Sequence, residues 1–160
     1  MIFAFLLFLS ATFPAAAFDD MPLAVAVTRP TTVPVAVEEM IQRGEDPNAV
    51  DDNGMTPLML AAKHAENPAV IAALIDNGAI IDKRNPYTGQ TALFYAAQFN
   101  KNPKIPMLLI RKGADPVIKD FHARTIKRVL SFNPALPQDM FDDYFVGDSA
   151  ASSAVSPTSR

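Results

Sequence analysis

Few side chains in this sequence could carry out acid–base, nucleophilic or metal chemistry. His64 and His122 are the only histidines in the 160 residues, and there is no cysteine. Zinc sites combine histidine with cysteine or carboxylates at short fixed spacings, whereas His64 is followed by Ala65 and Glu66. The sequence therefore predicts no metal site and no cofactor.

The acidic residues make no stronger case for catalysis. They occur as the pairs Glu38-Glu39, Asp51-Asp52 and Asp142-Asp143. We expect these pairs on solvated faces, in loops or in caps, because a general acid or base needs a cleft that shifts its pKa. There is also no glycine-rich phosphate-binding loop. We expect neither an enzyme nor a small-molecule substrate.

The composition fits one globular domain. The chain is 49% hydrophobic and 19% charged, and its formal net charge is -3. A chain with that balance has no general positive field to neutralise phosphates, so we expect no nucleic-acid partner. Its 14 prolines recur at regular places, which indicates punctuation of short elements rather than a linker.

The first residues have the layout of a signal peptide. An apolar run from Ile2 to Leu9 leads to Pro14 and to the small-residue site Ala15-x-Ala17. We expect cleavage after Ala17, which would remove residues 1–17 and place the mature chain in the periplasm or outside the cell. The alternative is an uncleaved membrane anchor, although the apolar run is shorter than the roughly 20 residues that span a bilayer.

A period of about 35 residues organises most of the remaining chain. Segment 53–62 recurs at 88–97, and Asn67-Pro68 recurs at Asn102-Pro103. Because separate landmarks keep one register, the pattern indicates a repeat architecture. We predict four units, at 18–50, 51–85, 86–119 and 120–146, of which the first and last are degenerate and act as caps. In the last unit, Asn133-Pro134 and a helix-like run that reaches Phe145 are out of register and indicate a C-terminal cap. The small polar residues 147–160 are expected to be disordered.

Each unit predicts a helix, a turn, a second helix and an extended loop. Pro57 suits the first position of a helix, and Thr56 can cap that helix. Asn67-Pro68 ends the first helix and opens the second. Gly78 then follows the second helix, where the backbone needs a positive φ.

These residues together resemble the ankyrin-repeat family. They are Asp51-x-x-Gly54-x-Thr56-Pro57-Leu58, Ala61-Ala62 and Leu74-Ile75-x-x-Gly78-Ala79, with counterparts between Gly89 and Asp115. The resemblance implies an all-α solenoid of about four helix-turn-helix repeats that binds another protein without catalysis. The Asn-Pro turn and the repeat length look like bacterial members, whose exported relatives suggest an immunity-type or an accessory protein.

The resemblance also implies where a protein partner would bind, namely on the loop tips and on the concave side formed by the first helices. We expect Tyr87, Phe99 and Phe121 to be the anchors, because aromatic residues are enriched at interface hot spots. Alternatively, Phe99 could cover the end of its helix, and Phe121 could pack beneath the C-terminal cap. The full candidate set is Asp52, Asn53, Met55, Lys63, His64, Tyr87, Thr88, Gln90, Gln98, Phe99, Phe121, His122 and Arg124.

Two further functions stay open at this point. One is a membrane-tethered scaffold that keeps its N-terminal segment as an anchor, and the other is a secreted effector that acts on host proteins. The chain also has a charge asymmetry, which could face an acidic partner or anionic lipid, or could be a solvated surface. Its basic side comprises Arg111, Lys112, Lys119, Arg124, Lys127 and Arg128.

Overall fold

The computed structural model describes residues 22–29 and 32–142, and every regular element within them is a helix. The predicted signal peptide, its cleavage site after Ala17 and the tail at 147–160 lie outside these residues. In the described part of the chain, no helix is both long enough and apolar enough to cross a membrane. The helices are α1 (Leu23–Ala26), α2 (Pro34–Gln42), α3 (Pro57–His64), α4 (Pro68–Asp76), α5 (Ala92–Phe99), α6 (Lys104–Arg111) and α7 (Ile126–Leu130).

The helices form two rows. The first helices of the units, α1, α3, α5 and α7, pack side by side in one row, and α2, α4 and α6 form the other. Within each unit the two helices also contact each other, as α3 does with α4 and α5 with α6. The first row packs closely because Ala61, Ala62, Ala96 and Ala97, which are fully buried, have small side chains that let the helices approach each other. The prediction of an all-α stack of helix-turn-helix units is confirmed.

The helices begin where capping chemistry predicts. The Thr56 hydroxyl accepts a hydrogen bond from the backbone N–H of Met59 at 3.2 Å, and Pro57 occupies the first helical position. The second helix of the same unit begins at Pro68, and Asn67 Oδ1 accepts from the N–H of Ala69 at 3.0 Å. Each cap satisfies a backbone donor that a helix leaves unpaired at its N-terminus.

Buried asparagines join one unit to the next. The side-chain amide of Asn100, which follows α5, donates to the carbonyl oxygens of Ala62 and Ala65 at 2.9 and 3.0 Å. Asn133 repeats this arrangement one unit later and donates to the carbonyls of Ala97 and Asn100 at 3.0 and 2.8 Å. These carbonyls lie at the C-terminal ends of first helices, where backbone acceptors lack helical partners.

The fourth unit ends in turns rather than in the helix-like run that the sequence predicts. Residues 131–141 form turns, so the predicted helix-like run towards Phe145 is wrong over this stretch, and residues after 142 lie outside the described part. Pro137 lacks the N–H that an α-helix would use there. The Gln138 amide holds the turns by donating to the carbonyls of Leu130, Asn133 and Leu136 at 3.1 to 3.3 Å. Phe141 is buried, and these turns cover the end of the core.

Asn48 and Asp82 lie at equivalent contacts between successive units, which we call joints, but Asn48 has an amide NH₂ group where Asp82 has a carboxylate oxygen. At the first joint, the Asn48 amide donates to the carbonyl of Gly78 at 2.9 Å and its Oδ1 accepts from the N–H of Ile80 at 2.8 Å. At the next joint, Asp82 accepts from the N–H of Asp115 at 3.2 and 3.3 Å. Because a carboxylate has no N–H, Asp82 cannot supply the donor that Asn48 supplies.

We expect Asp82→Asn to stabilise the protein at neutral pH. Burial raises the pKa of the Asp82 carboxyl above its ordinary value of 3.8; the N–H of Asp115 opposes this shift, and the charge of Asp115 adds to it. A raised carboxyl pKa contributes stability below pH 3.8 that is lost as the pH rises through the folded-state pKa. The amide removes that loss and restores a donor, so the free energy of unfolding should rise by about 0.5–1.5 kcal/mol at pH 7.

Urea denaturation at several pH values measures this difference. The gap between Asp82→Asn and the parent protein should narrow towards pH 3.8, where the Asp82 side chain approaches its neutral form. Asp52→Asn makes the same chemical change at an exposed position and should stay within about 0.5 kcal/mol of the parent. A gap that is negative, or that does not change with pH, contradicts the assignment.

Candidate interaction surface

Three hairpin tips project from the stack, one before each of α3, α5 and α7. In each tip, a side-chain oxygen of the first residue accepts two backbone N–H bonds. Asp51 Oδ1 accepts from Asn53 and Met55 at 2.9 and 2.8 Å. The other tips repeat this pattern, with Asn85 accepting from Tyr87 and Thr88 at 2.9 and 3.2 Å and Asp120 accepting from His122 and Arg124 at 3.0 and 2.8 Å.

The aromatic residue of one tip lies on the glycine of the preceding tip. Gly54 has a φ of 70°, and a Cβ built there would lie 3.0 Å from Tyr87 Cδ2 and 2.7 Å from Pro86 Cδ. Gly89 has a φ of 71°, and its Cβ would lie 2.5 Å from Phe121 Cδ1. Only glycine provides both the positive φ and the space for the ring. The tips therefore stack on one another through their aromatic residues.

Two of the three predicted anchors remain largely exposed in this stack. The side chain of Tyr87 is 70% exposed and that of Phe121 is 60% exposed. The alternative expectation for Phe121, that it packs beneath the C-terminal cap, is wrong, because its ring lies on Gly89 at the tips. The Phe121 N–H also donates to the Thr88 carbonyl at 3.0 Å. Phe121 therefore packs on its neighbour and still presents an exposed ring.

The third predicted anchor, Phe99, lies at the opposite end of α5. Its ring stacks on that of Tyr95 at a centroid distance of 6.3 Å and is 45% exposed. The Lys63 ammonium lies 4.9 Å from the centroid of the Phe99 ring, within the range of a cation–π interaction. Phe99 thus covers its helix end, as the alternative expectation proposed, and also contributes exposed aromatic surface.

A cleft of about 470 Å³ opens beside Phe99, between the ends of α3 and α5. Its floor includes Asn100, whose amide is held by the two carbonyl bonds described above. Burial, and then the charge of Lys63, lower the pKa of His64 below its ordinary value, which favours the neutral imidazole. The walls of the cleft are formed by Lys63, His64, Ala65, Glu66, Phe99, Lys101 and Asn102.

Two predicted contact residues are buried instead. Met55 and Gln90 are less than one-tenth exposed, because the first belongs to the hydrophobic core and the second lies below its tip. The Gln90 amide faces Gln98 Oε1 at 3.5 Å, a long contact. We therefore remove Met55 and Gln90 from the candidate contact surface. The remaining members are half-buried or exposed: Asp52, Asn53, Lys63, His64, Tyr87, Thr88, Gln98, Phe99, Phe121, His122 and Arg124.

Arg124 differs from its neighbours because it is paired. Its Nε donates to Asp120 Oδ2 at 2.7 Å. Burial favours the protonated form of Asp120, but the N–H and guanidinium of Arg124 and the N–H of His122 outweigh it and lower the pKa of that carboxyl. The guanidinium of Arg124 is therefore already bound within its own tip.

The two histidines belong to different units, and the described residues hold no cluster of three or more histidine or acidic side chains that could bind a metal.

The sequence interpretation missed two exposed residues. Phe132 is 66% exposed and directly precedes Asn133, as Phe99 precedes Asn100. The recurrence of this Phe-Asn pair 33 residues later could have indicated that Phe132 is the counterpart of Phe99. Arg84 is exposed, and its guanidinium carbon lies 5.2 Å from the centroid of the Phe121 ring. No periodic pattern indicates this contact, since it depends on how two units pack.

Comparisons with known proteins agree on one family. A family model described as "Ankyrin repeats (3 copies)" matches residues 23–120. The human "SH3 and multiple ankyrin repeat domains protein 2" is 40% identical over 90 residues, 56% of this chain and 5% of that protein. The mouse "B-cell lymphoma 3 protein homolog" is 36% identical over 98 residues, 59% of this chain and 21% of that protein.

A third relative extends the match slightly. "Protein lin-12" of Caenorhabditis elegans is 32% identical over 115 residues, 66% of this chain and 7% of that protein. The chain thus spans between 5% and 21% of the length of these relatives. The similarity concerns a repeated module and not the whole of the longer proteins.

The tip stacking predicts unequal effects of two glycine substitutions. Gly89→Ala and Gly78→Ala both place a Cβ at a positive φ, of 71° and 95°, which costs about 1–2 kcal/mol. Only Gly89→Ala also meets the Phe121 ring, since nothing lies within 4 Å of a Cβ at Gly78. We expect Gly89→Ala to cost about 1 kcal/mol more in urea denaturation and to shift the Phe121 ring resonances in NMR spectra. Equal costs with unchanged Phe121 resonances would refute the stacking.

Proposed function

The chain belongs to the ankyrin-repeat family, and from that premise we propose that it is an exported, non-catalytic module that binds a protein partner through its hairpin tips and first helices. Ankyrin repeats are protein-interaction modules, so the general role follows from the family. The location, the lack of catalysis and the contact residues are the specific parts of the proposal. Fold alone does not supply them.

The exposed aromatic side chains carry the assignment of the surface. Tyr87, Phe99 and Phe121 are 70%, 45% and 60% exposed, and all three lie on first helices or on the tips that precede them. Leaving such large apolar area in water is unfavourable unless a partner covers it. Aromatic residues are also the usual anchors of protein interfaces. This surface is therefore the one that we assign to a partner.

The proposal of no catalysis rests on how the polar side chains are used. The carboxylates of Asp51 and Asp120 hold their tips, and Asn85 does the same in the tip between them. Asn100 and Asn133 are committed to helix ends. Groups that the fold requires in one geometry support the backbone rather than a reaction.

The proposal of export rests on the N-terminal sequence, in particular the run from Ile2 to Leu9 and the Ala15-x-Ala17 site. With a C-terminal affinity tag on the chain, we expect intact-mass spectrometry of a periplasmic extract to find a mature N-terminus at Phe18. An N-terminus that retains Met1 in a membrane fraction would instead favour the tethered scaffold. Recovery only from culture supernatant would favour the secreted effector.

The partner and its contact surface can be tested in one experiment. We expect the tagged protein to capture a specific protein from periplasmic extract, and the triple variant Tyr87→Ala, Phe99→Ala, Phe121→Ala to lose it. Removing three anchors should weaken binding at least about 100-fold. Quantitative mass spectrometry of the captured proteins measures the loss, and circular dichroism confirms that the variant is folded.

The control is a second triple variant, Val35→Ala, Ile80→Ala, Val117→Ala. These side chains are also more than half exposed, but they lie on the second-helix row or in the loops that follow it. This variant should capture the partner as the parent protein does. Equal capture by both triple variants would show that the tips and first helices are not the binding surface.

A further inference from the structure

Arg84 is an exposed residue that the fold holds in place. Its Nη2 donates to the main-chain carbonyl of Lys119 at 2.7 Å, and its guanidinium carbon lies 5.2 Å from the centroid of the Phe121 ring. Two contacts thus fix a side chain that would otherwise lose considerable rotamer freedom on binding. The guanidinium has five N–H donors, and the carbonyl bond occupies one side of it.

The positive charge of Arg84 is not neutralised. Among the described residues, Lys112, Arg124 and Lys127 pair with Asp76, Asp120 and Asp142, whereas Arg84 and Lys119 have no ion-pair partner there. The carbonyl bond nevertheless brings Arg84 against the backbone of a second cationic residue.

Two acidic residues of the same loops make other contacts. Asp82 accepts from the N–H of Asp115, and Asp120 is buried against Arg124. Neither carboxylate forms an ion pair with Arg84 or Lys119. In a chain of net charge -3, two cationic residues on adjacent loops without an ion-pair partner among the described residues do not follow from the overall composition.

The neighbouring tip differs in charge. The position one repeat before Arg84 is Ala49, and the tip that follows it carries the exposed Asp52 where the next tip carries Tyr87. An anionic ligand would thus be repelled at the tip before α3 and attracted at Arg84 and Lys119. Electrostatic complementarity of this kind selects a partner and fixes its orientation.

We propose that Arg84, Lys119 and Phe121 bind an acidic segment of the protein partner, with a carboxylate on the Arg84 guanidinium and an apolar side chain beside it on the exposed part of the Phe121 ring. A guanidinium binds a carboxylate through two parallel hydrogen bonds, and the ring supplies apolar contact area. This inference rests on the proposed function, because it names the chemistry of the segment that the partner would present.

Binding of an acidic polymer tests this chemistry without knowledge of the partner. The probe is a biotinylated random copolymer of glutamate and tyrosine, and biolayer interferometry measures its affinity for the purified protein. We expect Arg84→Gln to weaken binding about tenfold or more. Arg84→Lys should restore only part of the affinity, because lysine keeps the charge but loses the planar fork.

Two further variants complete the experiment. Lys119→Gln leaves the carbonyl that orients Arg84 intact, and we expect it to weaken binding about threefold. Arg111→Gln makes the same charge change as Arg84→Gln at an exposed position at the end of α6 and should stay within about twofold of the parent. Circular dichroism should be unchanged in all variants.

Several results would overturn the inference. They are no measurable binding of the glutamate–tyrosine copolymer, equal binding of a lysine–tyrosine copolymer, or an unchanged affinity in Arg84→Gln. Tighter binding of a single-stranded oligonucleotide through Arg84 would assign the surface to phosphates instead. If Arg84→Gln still captures the partner that the aromatic triple variant loses, the inference fails while the proposed function stands. If the aromatic triple variant loses nothing, the proposed function fails.

Discussion

The structure depends on hydrogen bonds that each unit makes to the helix ends of the unit before it. The carbonyls of Ala62 and Ala65 would be buried without a partner if Asn100 did not donate to both. An unpaired buried backbone acceptor costs about 1–3 kcal/mol, so each joint depends on the arrival of the next unit. This is why a repeat stack is stable as a whole although a single helix pair has too little core to fold alone.

The joints also set the distance between hairpin tips, and that distance gives the aromatic residues two roles. Tyr87 and Phe121 can lie on Gly54 and Gly89 only because the units repeat at a spacing that brings each ring over the preceding glycine. In the last tip, Ala123 takes the glycine position at a φ of 58°. Ala123 is exposed, and no later described tip follows it. Tyr87 and Phe121 can therefore each pack one side of the ring on a glycine and leave the rest of the ring exposed to a partner.

Much of the fold could be predicted because its signals are local or periodic. The cap at Thr56, the helix start at Pro57 and the positive φ at Gly78 follow from backbone chemistry within a few residues. The helix-like run of the fourth unit was wrong over 131–141, where the Asn133 amide donates to the carbonyls of Ala97 and Asn100 in the preceding unit. The sequence does not reveal whether an asparagine binds the backbone of its own turn or the helix end of the preceding unit.

The candidate surface was harder to predict for the same reason. Met55 and Gln90 occupy tip positions, but the period does not reveal which tip residues point into the stack. Arg84 was missed because its contacts, the carbonyl of Lys119 and the ring of Phe121, lie in the following unit. Residue type identifies charge and aromatic character, whereas the packing of adjacent units decides which of these groups stay unpaired.

That distinction also changes the meaning of the charge asymmetry along the chain. Of the basic residues noted in the sequence, Lys112, Arg124 and Lys127 already form ion pairs within the protein. Of the acidic residues, Asp51 and Asp120 accept hydrogen bonds from the backbone of their own tips. The groups that can form a new ion pair with a partner are those that the fold has not already paired. A count of charges therefore overstates the number of free basic groups, and it misses Arg84, an exposed arginine without an ion pair among the described residues that lies outside the basic group.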